Sequence, residues 1–219
     1  MASFDLHFRT RGSLHPDGEP SEFVSTHVGV IRCTDDETGS SSKVGKLRAY
    51  RIHAGLAADH GESLFDVCDS HSALMHEVHT LLYQPDGYGF KERLVERLDA
   101  LEWDCLVIDY VVLDPKWRGL KLGLLAVRKA VDLLGGGCGL AVSDIAPLRR
   151  AAHRSIGVPA SWVPTNDTPE ARMRATVKLR RYARRMGFVR LGRSPYYALP
   201  LSRKTPTADE LLRGHSAGE

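Results

Sequence analysis

Cys105-Leu106-Val107-Ile108-Asp109-Tyr110-Val111-Val112-Leu113-Asp114-Pro115-Lys116-Trp117-Arg118-Gly119-Leu120-Lys121-Leu122-Gly123 is the stretch that decides the fold. Its first nine residues are rich in β-branched side chains and almost continuously apolar, as in a strand covered on both faces. Asp109 interrupts the run and Asp114-Pro115 closes it. From Leu120 the pattern becomes helical, with Leu120, Leu124, Val127, Val131 and Leu134 on one side. Gly135-Gly136-Gly137 stops that helix, and Gly139-Leu140-Ala141-Val142 is a short apolar strand. Strand, turn, helix and strand over 105–142 predict a βαβ unit with two parallel strands and a right-handed crossover.

Outward from this unit the periods are weaker. Towards the N-terminus, the first 20 residues carry turn signals at Gly12 and at His15-Pro16-Asp17-Gly18-Glu19-Pro20. Strands are expected at 27–33 and 44–53, joined as a hairpin by the polar loop 34–42. A helix is expected over 64–83, ended by Gln84-Pro85-Asp86-Gly87, and a shorter one over 90–101. Towards the C-terminus, 143–169 is irregular, with Pro147, Pro159, Pro164 and Pro169; a connection this long is usually functional. A helix follows over 170–186. One face carries Ala175, Leu179, Tyr182, Ala183 and Met186, and another carries Arg174, Lys178, Arg181 and Arg185. Gly187 caps it, strands are expected at 188–191 and 196–201, and 202–219 reads as a loose polar tail. The reading is one mixed α/β domain over 1–201, with a largely antiparallel sheet flanked by helices.

Composition sets the outer limits. The chain has 219 residues, 42% hydrophobic and 26% charged, which excludes wholesale disorder and supports a sizeable core. Lys plus Arg number 30 against 27 Asp plus Glu, and a net charge of +3 does not mark a dedicated nucleic-acid protein. No run approaches the roughly 18 apolar residues of a membrane helix, so no membrane partner is expected. Met1 to Arg9 has no apolar core of signal-peptide length. Cys33, Cys68, Cys105 and Cys138 are widely spaced with no Cys-x-x-Cys, so a reduced, cytoplasmic setting is the expectation.

The chemistry points to the turn at 114–123. A helix N-terminus exposes unpaired N–H groups and the positive end of a dipole, both of which favour anions. Gly119 and Gly123 let a phosphate approach the backbone, and Arg118 and Lys121 add positive charge. The pattern is that of a pyrophosphate cradle. The P-loop pattern is absent, and the glycine run 135–139 follows a helix and precedes a strand, the wrong order for a dinucleotide fingerprint.

Pro115-Lys116-Trp117-Arg118-Gly119 resembles the Pro-x-aromatic-Arg-Gly turn of the GNAT superfamily of acyl-CoA-dependent N-acyltransferases. Arg118-Gly119-Leu120-Lys121-Leu122-Gly123 resembles that family's R-x-x-G-x-G/A signature, with Lys121 in place of the first signature glycine. The helix leading into Gly187-Phe188, with closing strands after it, is also similar. The resemblance covers about residues 100 to 201 and implies acetyl-CoA as acyl donor and no metal. It implies an acyl transfer by direct attack in a ternary complex, with a small-molecule or peptide amine as acceptor. It places the pantetheine arm and carbonyl along the backbone of Val111, Val112 and Leu113. The pyrophosphate falls on Arg118, Gly119, Leu120, Lys121, Leu122 and Gly123.

Asp109 is the candidate base, since it sits four residues before Leu113 and hence on the same strand face. Burial there would raise its pKa; the equal alternative is an ion pair with one of the arginines or a loop cap. Tyr182 is the candidate acid. The family's tyrosine stands four residues before the Gly of Gly-Phe, which here is Ala183, one residue later; the alternative for Tyr182 is packing on the sheet. Trp162 is a candidate lid, wall or loop anchor. Cys105 and Cys138 read as buried core, and His71, His76 and His79 as a solvated helix face.

Residues 149 to 193 hold twelve Arg or Lys against Asp167 and Glu170, which leaves the remainder of the chain acidic. The basic helix 172–185 therefore supports a rival reading, a non-catalytic module that binds an acidic partner or RNA. Within the enzyme class, nucleic acid is the weaker partner. The sequence leaves oligomeric state open, and a homodimer is compatible with it.

Overall fold

The strand Asp104–Leu113 (β4) stands near the middle of the sheet and is buried on both sides. Cys105 and Val107 face one core layer, Leu106 and Ile108 the other, all at 2% exposure or less. Burying side chains such as Leu106 and Ile108 contributes about 1.5–3 kcal/mol each. The computed structural model describes residues 2–11, 19–149, 151–166 and 168–213. The turn signals at Gly12 and His15 to Gly18, and positions 214–219 of the polar tail, lie outside the described residues.

The other strands are Ala2–Arg11 (β1), Val24–Asp35 (β2), Ser41–Ile52 (β3), Cys138–Asp144 (β5), Val189–Arg190 (β6) and Tyr196–Pro200 (β7). They form a seven-stranded sheet in the order β1-β2-β3-β4-β5-β7-β6. Only the β4–β5 pair is parallel. The protein is thus a mixed α/β fold with a mostly antiparallel sheet. The helices are Ala54–Asp59 (α1), Leu64–His71 (α2), Ala73–Leu82 (α3), Glu92–Leu98 (α4), Leu122–Leu134 (α5), Ala152–Ile156 (α6), Pro169–Arg185 (α7) and Ala208–Leu212 (α8). α1 to α4 cover one sheet face; α5, α7 and α8 cover the other.

Four expectations are corrected. Residues 2–11 form an edge strand that pairs with β2 along its whole length. Phe4, Leu6 and Phe8 alternate at strand period, and the half-buried Leu6 and Phe8 pack over Gly29, where a Cβ would come within 2.9 Å of both. The helix expected over 64–83 is two helices. Ser72 is extended (φ −176°, ψ 158°), and its hydroxyl accepts from Met75 N–H at 3.4 Å to start α3. The long loop holds α6 and a 3-10 turn at Ala160–Trp162, and its Ile156, Val158, Trp162 and Val163 pack on Tyr110 and Val112. Finally, 202–213 is not loose. Thr207 and Glu210 form a capping box, and Leu211 is 1% exposed in the core beside α5.

Candidate functional site

β4 and β5 pair only from Asp104/Cys138 to Ile108/Ser143. The Ser143 hydroxyl donates to the Ile108 carbonyl at 2.8 Å, and beyond that bond the strands part. From there β4 pairs only with β3, through Tyr110–Arg48, Val111–Leu47, Val112–Lys46 and Leu113–Gly45. Its other edge borders a cavity of about 490 Å³, within the size range of small-molecule sites. The diverging strands line the two sides. α5 and α7 line one face through Leu124, Val127, Ala175, Leu179 and Ala183, and Trp162 and Pro164 form a wall.

A bulge sits at the split. Ala49 pairs with Ile108 and Arg48 with Tyr110, so Asp109 is the extra residue of β4. The bulge shifts the alternation by one. Ile108 faces α5 before it, Val111 and Leu113 face α5 after it, and Tyr110 and Val112 point the other way. The expectation that Asp109 shares a face with Leu113 therefore fails. Asp109 lines the cavity but binds Arg48, whose Nε and Nη2 each lie 2.5 Å from Oδ2. The Arg48 guanidinium in turn rests 4.9 Å from the Tyr110 ring centroid and 5.4 Å from that of Tyr50. Of the two readings for Asp109, the structure has the ion pair.

The turn after β4 is built from the backbone. The Asp114 carboxylate accepts from Lys116 N–H at 3.0 Å and holds the 3-10 turn Pro115–Trp117. Gly119 has φ +88° and Lys121 has φ +60°, so Lys121 keeps the left-handed conformation that suits a glycine. Its ammonium donates to the Leu212 carbonyl, which anchors the side chain to the end of α8. The N–H groups of 119–123 bond to no other group among the described residues, and helical bonds begin at Leu124 N–H. Five unpaired amides at the positive end of a 13-residue helix suit a diphosphate. A Cβ on Gly123 would lie 3.7 Å from Leu113 and 3.8 Å from Val111, so that helix start is seated directly against β4.

Val111, Val112, Leu113, Arg118, Gly119, Lys121, Leu122, Gly123, Asp109 and Tyr182 all line the one cavity. Leu120 does not; it is 52% exposed outside it. Arg118 is committed to carbonyls, donating to Leu113 O at 3.1 Å and Trp162 O at 2.5 Å, which clamps the loop over the end of β4. Trp162 is both wall and anchor, at 8% exposure. Tyr182 is half-buried, packed against the α5 layer with Lys178 Nζ 5.9 Å from its ring. On the basic helix, Lys178 lines the cavity and Arg185 donates to Leu211 O at 2.6 Å, while Met173, Arg174, Val177 and Arg181 remain at the surface.

The carboxylate that sequence reasoning missed is Asp144, at the end of β5. It faces Asp109 across the split in the sense that each is the first residue beyond the last paired position of its strand. Its Oδ1 is buried without a hydrogen-bond partner among the described residues. Burial and the neighbouring Glu77 charge push its pKa up. Tyr196, opposite Asp144 on β7, donates its hydroxyl to Glu77 at 2.6 Å. The available signal was an acidic residue closing the apolar run 138–142.

The cysteines are free and buried, and burial pushes the Cys138 thiol up to about 12, which disfavours a thiolate nucleophile. The expected solvated histidine face is corrected: His79 is 3% exposed beside Tyr83, His71 packs on Tyr50, and His76 pairs with Asp69 at 2.8 Å. Among the described residues no His, Cys, Asp or Glu group is arranged to hold a metal ion. No described helix is long and apolar enough to cross a membrane. No family model, curated protein or solved structure matches the chain.

Proposed function

We propose that the protein is a cytoplasmic N-acetyltransferase that moves an acetyl group from acetyl-CoA to an amine within a ternary complex. The observation that carries this reading is the junction of two features in one cavity. One is the parted β4–β5 pair; the other is the set of unpaired amides of Gly119, Lys121, Leu122 and Gly123. The resemblance to the GNAT signature over 114–123 supports the same assignment. A nucleotide thioester needs both a diphosphate cradle and an extended slot, and they meet here.

Within this reading the chain's groups divide the work. The amides of Gly119, Lys121, Leu122 and Gly123 hold the diphosphate, and Arg118 and Lys121, tethered to the Trp162 and Leu212 carbonyls, keep their positive charge beside it. The free edge of Val111–Leu113 aligns the pantetheine arm and offers a backbone N–H to the carbonyl oxygen as charge develops on it. The clamp from Arg118 holds Trp162 against the end of β4 and fixes that wall of the slot. Acetyl-CoA supplies an acyl group on a thiol of pKa about 8.5, which leaves without strong acid assistance; Tyr182 in the cavity wall is the nearest hydroxyl candidate on α7. The binding-module alternative draws on the exposed Arg174, Lys178 and Arg181, while Arg185 is engaged within the fold by its bond to the Leu211 carbonyl.

Calorimetric titration of acetyl-CoA into the wild type and Gly123→Asp tests the proposal. The new Cβ meets only ordinary contacts, so the variant is expected to fold, and its carboxylate would sit at the cradle. Micromolar-range binding by the wild type, weakened at least tenfold in the variant, is the expected result. Absence of binding by the folded wild type overturns the enzyme reading.

A further inference from the structure

The cavity is lined by residues of both sheet faces, and the two sides differ in chemistry. On the α5 and α7 side it is walled by Val111, Leu113, Leu124 and Val127 together with the amide cradle. On the opposite side a few polar groups stand at the edge of the apolar layer beneath α1 to α4. Asp144 shares the β5 face of Leu140 and Val142, which pack towards α1 to α4. Tyr196 lies beside it, Glu77 at an exposed position of α3 accepts from the Tyr196 hydroxyl, and Asp109 closes the same side from β4. Of these three carboxylates, Asp109 is neutralised by Arg48, and Glu77 accepts from a tyrosine. Asp144 has neither a cation nor a hydrogen-bond donor for its buried Oδ1.

We propose that Asp144 is the proton acceptor of the reaction and that the acceptor substrate is a protonated primary alkylamine, drawn in from the α3 face by Asp144 and Glu77. The inference rests on the acetyltransferase reading above. An alkylamine arrives as an ammonium and must lose a proton before it can attack. Asp144 takes that proton. The nitrogen lone pair then forms the C–N bond to the thioester carbonyl, the C–S bond breaks, and the thiolate leaves with the electron pair. The second amine proton passes to the thiolate, giving amide and free thiol, and Asp144 returns its proton to solvent. A carboxylate held away from any cation and beside a like charge is a better base than one matched with a cation. Burial and the Glu77 charge on α3 raise Asp144's proton affinity; the Tyr196 hydroxyl on β7 lies beside it, and the Asp109–Arg48 pair and Lys178 on α7 stand around the same cavity.

The test uses the full chain with acetyl-CoA and three probe amines: n-butylamine, 1,4-diaminobutane and aniline. The first two are ammonium ions near neutral pH; aniline is not. Free thiol release is followed from pH 5.5 to 9.5, and acetyl-CoA affinity is measured in parallel. The expected result is turnover of the alkylamines but not of aniline. Asp144→Asn should lower kcat by about 100-fold or more with acetyl-CoA affinity unchanged. Glu77→Gln, by removing a neighbouring negative charge, should move the acid limb of the wild-type profile to lower pH. Retained kcat in Asp144→Asn, an acid limb that Glu77→Gln does not move, or preference for aniline overturns the proposal. So does failure of a chain that binds acetyl-CoA to turn over either alkylamine. Failure to bind acetyl-CoA at all is a different result and overturns the acetyltransferase reading instead.

Discussion

Asp109 and Lys121 show how one residue's role follows from its neighbours. As a residue type in an apolar strand, Asp109 suits a base; its bulge position and Arg48 at 2.5 Å make it half of an ion pair. The side chains are 30% and 19% exposed, so removing one charge strands the other in a partly desolvated place. Asp109→Asn should therefore cost about 1–3 kcal/mol in urea unfolding, while Asp109→Asn with Arg48→Met recovers much of it. Unchanged stability with a hundredfold loss of turnover would return Asp109 to the role of base. Lys121 stands where a glycine suits the backbone, at φ +60°. An αL conformation costs an ordinary residue about 1–2 kcal/mol, and the ammonium bond to the Leu212 carbonyl offsets part of that cost. The substitution that breaks the signature is thus compatible with an open cradle, because the side chain is tethered to α8.

At the scale of elements, the site depends on where pairing stops. β4 and β5 are held through Ile108 and Ser143 and parted beyond, so the same strand is core at one end and a free, cavity-lining edge at the other. α5 is the second such element, with Ala126, Ala130 and Val131 packed on the sheet and its N-terminal amides facing the cavity. α8 braces that start. Leu211 is buried, and its carbonyl and that of Leu212 accept from Arg185 and Lys121, which joins α8 to both cavity-lining helices. Leu211→Ala should cost about 2–4 kcal/mol as a core truncation and also weaken acetyl-CoA binding as the tether loosens. Loss of stability with full affinity would mean that the cradle holds its shape without α8.

For the whole molecule, three buried or half-buried histidines set the response to acid. Burial lowers the pKa of His27, His71 and His79, aided by nearby positive groups. The unfolded chain then binds protons at about pH 6.5 and below, before the folded chain does, so stability falls as pH drops through that window. Melting temperature should be lower at pH 5.5 than at pH 7.5, by about 2–4 °C for each kcal/mol lost, and His79→Phe should reduce the difference. A flat profile would show that these rings stay solvated. The strong local periods made the central βαβ unit, the hairpin before it, the turn at 114–123 and the apolar face of α7 legible in the sequence, because strand and helix spacing are local properties of the chain. The edge strand 2–11 carried its signal in Phe4, Leu6 and Phe8, and was hidden by the turn residues that follow it. The bulge at Asp109, the partner of Arg48, the docking of α8 and the isolation of Asp144 depended on tertiary structure. Each is set by which distant strand or helix lies alongside: β3 fixes the bulge, β5 ends the pairing, and α3 and β7 set the charge around Asp144.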